Sequence, residues 1–186
     1  MMHEQTTNSA PPADKPVLVV DGLARRFGAH AVVEELHLEL PAGRRVALRG
    51  PNGSGKTTVL RCIAGTLAPT AGTVRVKGLK AGTVAARACV GASFAQERSF
   101  YLRLTGRDNL LFYARLRAAN SRAARVDVDA LTDELEIGHF VRQRVNSYST
   151  GMVQQLGFAR ALLGRPDLLL LDEPTRSLDD AAVARL

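Results

Sequence analysis

Gly50-Pro51-Asn52-Gly53-Ser54-Gly55-Lys56-Thr57 fits the pattern G-x-x-x-x-G-K-[ST] at every fixed position. Such a run has one well-defined chemistry. Its glycines let the backbone curl tightly and turn N–H groups inward, making a nest for phosphate oxygens. Lys56 adds a point charge that reaches toward β- and γ-phosphates, and the Thr57 hydroxyl is a ligand for Mg²⁺. A second set of chemical groups lies far along the chain. Leu168-Leu169-Leu170-Leu171 leads directly into Asp172-Glu173. Two carboxylates at the end of an apolar strand are costly unless a cation meets them there. A divalent ion on a phosphate ester supplies that cation.

The neighbouring sequence supplies the elements that would position these groups. Residues 46–48, Val-Ala-Leu, read as a short apolar strand before the loop. Residues 58–64 read as a helix after it, whose N-terminus favours anions. The four leucines read as a strand buried on both faces of a parallel sheet. Arg165-Pro166 and Glu173-Pro174 bracket that element and keep it short.

The stretch between the two sites narrows the class. Asn146-Ser147-Tyr148-Ser149-Thr150-Gly151-Met152, continuing through Gln154-Gln155-Leu156-Gly157-Phe158-Ala159-Arg160-Ala161-Leu162, resembles the signature motif and helix of ATP-binding cassette (ABC) ATPases. Leu171-Asp172-Glu173-Pro174-Thr175 follows in the family's order, with Ser177-Leu178-Asp179 as the D-loop. Gln96 falls at the Q-loop position, after residues 90–95. Phe27, in Arg25-Arg26-Phe27-Gly28, falls where the family places an aromatic ring against adenine. The resemblance runs from about Val17 to Leu186. Thr150 replaces the usual Gly of the signature, and Met152 the frequent Gln.

This resemblance implies an α/β fold of the P-loop NTPase type. It has an N-terminal antiparallel β subdomain and a helical insert. The expected organisation is a disordered tail over 1–16, a nucleotide-binding core over 17–96 and a helical subdomain over 97–148. The signature helix, acidic strand and D-loop then occupy 149–186. The implied ligands are ATP and Mg²⁺. Gly50, Asn52, Gly53, Ser54, Gly55, Lys56, Thr57 and Thr58 would hold the phosphates. Thr57, Gln96 and Asp172 would organise the metal. Glu173 would activate the attacking water, with Gln96 and Lys56 assisting. Ser149, Gly151 and Asp179 would act across a head-to-tail dimer, closing on the second subunit's nucleotide.

The family's switch histidine follows a further strand beyond the D-loop. The histidines here are His3, His30, His37 and His139, all upstream of it. The resemblance therefore implies a truncated domain whose last core strands lie past Leu186. One of them would sit between residues 46–48 and the four-leucine strand. Without it the 186 residues alone are expected to fold poorly and to hydrolyse ATP negligibly.

Composition sets outer limits. At 186 residues and 46% hydrophobic, the chain buries a real core. No run approaches the roughly 18 apolar residues that span a bilayer. The first residues are polar and Pro-containing, which reads as a tail and not a signal peptide. Cys62 and Cys89 have no metal-ligand spacing, and Cys62 reads as a small buried residue. The net charge of +7 comes from arginines scattered through Ala-rich segments, so no nucleic-acid partner is expected.

The function implied is the ATPase subunit of a membrane transporter at the cytoplasmic face, working with a separately encoded transmembrane permease and a second ATPase subunit. Residues 98–110, with Tyr148-Ser149-Thr150-Gly151-Met152, are similar to ATPases of bacterial ABC-2-type exporters. A soluble ABC ATPase acting on DNA or the ribosome, or an inactive gene fragment, remain as alternatives.

Overall fold

The structure, a computed structural model, describes residues 16–94, 99–118 and 120–173. The expected tail over 1–16 therefore lies almost wholly outside the described residues, as do Gln96 and Asp179.

The chain opens with a long hairpin. Strand β1 (Leu18–Phe27) turns at Gly28, whose φ of 58° suits a tight reversal, into β2 (His30–Leu40). The two are antiparallel from Leu18↔Leu40 to Phe27↔His30, with register shifts between Val20 and Arg26. Helix α1 (Lys56–Ile63) follows the glycine-rich loop. Then β3 (Ala71–Val76) pairs with the free edge of β1, and β4 (Leu79–Lys80) with β3. The sheet order is β2-β1-β3-β4. Its inner face carries Leu18, Val20, Leu23, Val74 and Val76, which close over Cys62 and Ile63 of α1.

After the short helix α2 (Val84–Ala88), β5 (Val90–Ser93) enters a second sheet. Four α-helices then build a separate core among the described residues. They are α3 (Gly106–Arg115), α4 (Ser121–Glu134), α5 (Gly138–Val141) and α6 (Thr150–Leu162). Leu110, Ala124, Val128, Phe140, Leu156 and Leu163 pack at its centre. The starts of these helices follow local rules. Thr105 accepts a hydrogen bond from the Asp108 N–H, Asn120 from Ala123 and Ser149 from Met152, each a side-chain cap. Gly164, at φ 72°, ends the α6 region. Strand β6 (Leu168–Leu171) then pairs in parallel with β5, from Val90↔Leu168 to Ser93↔Leu171.

Two expectations change. Residues 46–48 form no strand, and Val46 is 50% exposed. A strand exists through its ladder partner, and no described strand lies alongside this segment. The four leucines do form a strand, but it is not buried on both faces. Leu168 and Leu170 are buried, whereas Leu169 is 38% exposed. The face carrying Leu169 has no cover among the described residues.

The two cores are joined by close approach and by charged side chains that bond to backbone carbonyls. Gly91 of β5 lies directly under α6. A Cβ there would collide with the Ala161 carbonyl oxygen and sit 2.8 Å from Pro166 Cγ. Arg117, just past α3, donates to Leu163 O at 2.9 Å, Val90 O at 2.6 Å and Arg87 O at 3.1 Å. One planar guanidinium thereby satisfies carbonyls of three segments, although burial makes its charge harder to keep and lowers its pKa. Asn109 is fully buried, and its side chain exchanges hydrogen bonds with the Tyr101 N–H, Tyr101 O and Thr105 O. Both ends of that amide are satisfied.

Gly91→Ala forces β5 and α6 apart. It should destabilise the intact protein by about 1–3 kcal/mol, read as a lower thermal midpoint. An unchanged midpoint would show that this contact is loose.

Candidate phosphate site

The loop before α1 is shaped by its glycines. Gly50, Gly53 and Gly55 have φ of 156°, 82° and 89°, a region in which a side chain is strained. Two of them are also pressed for space. A Cβ at Gly50 would lie 2.7 Å from Ser54 Oγ, and one at Gly55 would lie 2.7 Å from the Val32 carbonyl oxygen of β2. Gly55 is the N-cap of α1 and supplies no side-chain cap, and the first turn contains no acidic residue. Val59 N–H donates to Gly55 O at 2.9 Å. The N–H groups of Lys56, Thr57 and Thr58 precede that bond and have no intrahelical acceptor. This is an uncapped, positively polarised helix end. Asn52, Gly53 and Ser54 form its exposed rim.

Lys56 folds back over the loop. Its Nζ donates to Gly50 O and Pro51 O, both at 2.8 Å. The ammonium is thus held at the loop mouth by two neutral carbonyls, both weaker partners than a phosphate oxygen.

Thr57 Oγ1 donates to Asp172 Oδ2 at 2.8 Å. This bond joins residues 115 positions apart and brings the loop to the end of β6. The ladder holds Asp172 in place, since its N–H donates to Ser93 O at 3.0 Å. Glu173 follows with φ 50°, and its carbonyl oxygen accepts from Gln154 Nε2 of α6 at 3.2 Å. The structure therefore gathers Lys56, Thr57, Asp172 and Glu173 at one loop-and-strand end.

Other residues named from the sequence stand on other elements. Phe27 ends β1, is 49% exposed, and carries the Arg25 guanidinium 4.4 Å from its ring centroid. Its hairpin is the one whose Val32 abuts Gly55. Ser149 caps α6, and no hydrogen bond of Ser149 reaches residues 50–58. Gly151 is half-buried in the first turn of that helix, and Thr150 beside it is exposed. Gln154 and Ser93 have no distinguishing signal in the sequence. Their contributions are a side-chain amide reaching a backbone carbonyl and a backbone carbonyl closing a ladder.

The donor chemistry suits Mg²⁺, a hard cation that takes oxygen ligands and keeps several from water or substrate. Thr57 and Asp172 offer two such oxygens side by side. Among the described residues no group of three or more His, Cys, Asp or Glu converges to hold a metal by itself.

The fold and this site define a nucleotide-binding cassette. The sequence matches the ABC transporter family over residues 33–176, and the chain belongs to that family. It is 36% identical over 171 residues to the uncharacterized ABC transporter ATP-binding protein YdbJ of Bacillus subtilis (strain 168), covering 91% of this chain and 54% of that protein. It is 34% identical over 172 residues to the bacitracin transport ATP-binding protein BcrA of Enterococcus faecalis, again covering 91% and 54%. The chain thus spans about half the length of the curated relatives it matches. Among solved structures, the dimeric bacterial ABC transporter cassette MJ0796 superposes with a TM-score of 0.81, at 23% identity, over 90% of this chain and 78% of that one. No helix among the described residues is long and apolar enough to cross a membrane.

Gly55→Ala places a methyl against the Val32 carbonyl at a backbone angle that disfavours it. Binding of a phosphate-bearing nucleotide should weaken by about tenfold or more, on the scale of 1–3 kcal/mol for strained backbone. Titration calorimetry with Mg-ATP reads this directly, and wild-type affinity would show that the loop is not shaped by Gly55.

Proposed function

We propose that this chain is the ATP-binding and ATP-hydrolysing part of a membrane transporter, an exporter of the ABC-2 type. The observation that carries the proposal is the Thr57–Asp172 hydrogen bond at the mouth of the glycine loop. It brings a metal-binding hydroxyl, a metal-binding carboxylate and the neighbouring Glu173 to one point beside a free helix N-terminus.

In this reading the phosphates of ATP settle on the N–H groups of residues 53–58. Lys56 exchanges its two carbonyl partners for phosphate oxygens. Thr57 and Asp172 hold Mg²⁺, which when bound neutralises charge on the phosphate oxygens. Glu173 accepts a proton from the water that attacks the γ-phosphate. Phe27 supplies a ring face for adenine. The roles of Gln96 and Asp179 rest on the sequence resemblance.

Ser149 and Gly151, at the start of α6 and not on the loop of their own chain, serve the site of a second copy or a paired subunit. That arrangement needs a head-to-tail dimer with two nucleotides between the subunits. Closing and opening of that dimer would be passed to a transmembrane permease, placing the protein at the cytoplasmic face of the membrane. Three supports point this way: the family, a bacitracin transport protein among the relatives, and the similarity of residues 98–110 to exporter ATPases.

Two substitutions test the reading. Lys56→Ala should abolish high-affinity Mg-ATP binding, because it removes the only mobile positive charge of the motif. Glu173→Gln keeps shape and hydrogen bonding but removes the base. It should bind ATP, nearly cease hydrolysis and accumulate as an ATP-dependent dimer in light scattering. Wild-type affinity in the first variant or wild-type turnover in the second would overturn the corresponding role.

A further inference from the structure

The end of β6 poses a problem of backbone geometry. Asp172 closes the ladder through Ser93 O, and the very next residue leaves extended geometry. Glu173 has φ 50°, in the left-handed region that is strained for a non-glycine residue. It also precedes Pro174 in the sequence, a position that favours extended backbone. A residue in such a conformation persists when its surroundings over-determine it.

The surroundings come from α6. Gln154 Nε2 donates to the Glu173 carbonyl oxygen at 3.2 Å. Gln154 is a half-buried helix residue whose backbone position is set by close packing further along the same helix. Gly157, one turn on, lies against β5, where a Cβ would stand 3.1 Å from Ser93 Oγ. Gly91 lies under Ala161 a further turn along. The helix is therefore seated on the strand whose Ser93 carbonyl also holds Asp172. Its amide reaches past that strand's partner to the first residue beyond the ladder.

We infer that Gln154 is a positioning residue for the hydrolytic step: its amide fixes the Glu173 backbone and so aims the Glu173 carboxylate. The inference rests on the reading of Glu173 as the base. The bond is made to the peptide oxygen, so it governs where the carboxylate sits. Misplacing a catalytic group costs turnover more than substrate affinity, because positioning matters in the transition state. The same helix begins at Ser149. A residue on the signature helix thus bears directly on the base of its own subunit.

The test compares two replacements in the intact protein with its membrane partner, using Mg-ATP as the substrate and Glu173→Gln as the reference. Gln154→Met keeps length and helix propensity but has no side-chain N–H. Gln154→Arg keeps a donor. Gln154→Met should lower kcat by about tenfold while KM stays within about twofold, with the thermal midpoint unchanged. Gln154→Arg should keep kcat within about threefold of wild type, since a donor still reaches the carbonyl. Wild-type kcat in Gln154→Met, equal losses in both variants, or a midpoint lowered by Gln154→Met overturns the inference and leaves the base assignment standing. Wild-type turnover by Glu173→Gln overturns the base assignment and the inference together.

Discussion

The hydrogen bond from Thr57 to Asp172 is the constraint that the rest of this structure serves. A hydroxyl and a carboxylate meet at 2.8 Å although 115 positions separate them. A charged acceptor makes such a bond stronger than a neutral one, on the order of 1.5–3 kcal/mol. Its geometry needs two placements at once. Helix α1 must start where the glycine loop ends, and β6 must end where Thr57 points. The first is met by Gly55 against β2 and by Cys62 and Ile63 in the first core. The second is met by Leu168 and Leu170, which enter that same core from the other sheet. The residues that build the site are thus tied to one hydrophobic cluster.

The second core is a separate body of helices, and its attachment is as specific as the site itself. Gly91 and Gly157 allow α6 to lie close on β5. Arg117 gathers carbonyls from the end of α2, from β5 and from the residue after α6. Arg160 of α6 adds a further tie to β5, donating to Ala92 O at 3.5 Å, while its guanidinium lies over the rings of Phe100 and Tyr113 within the helical body. A helix held so closely carries Ser149 at one end and bears on Glu173 through Gln154. Movement of the helical body would reach the acidic strand end through α6.

Local chemistry was legible in the sequence. The glycines at 50, 53 and 55 announced a tightly curled backbone, and all three have positive φ. Thr105 and Ser149 are residue types that cap helices, and both accept the N–H such a cap needs. The four-leucine run announced a strand. What the sequence did not disclose was context. A short apolar run at 46–48 reads as a strand only if a neighbour is present to pair with it. Leu168–Leu171 reads as doubly buried only if something covers Leu169. The long-range ties, Arg117 to Leu163 O and Gln154 to Glu173 O, have no periodicity or spacing that would reveal them. Each is a single side chain meeting a backbone carbonyl that the fold brings near.

The central claim is that Thr57 and Asp172 form one cation-binding unit with the phosphate loop. A double-mutant cycle on Mg-ATP affinity tests it most directly, using Thr57→Val, Asp172→Asn and the pair together. If the two oxygens act as a unit, the second substitution should add little to the first, leaving a coupling energy of about 1 kcal/mol or more. Effects that simply add would show that the two residues act independently and would contradict the account.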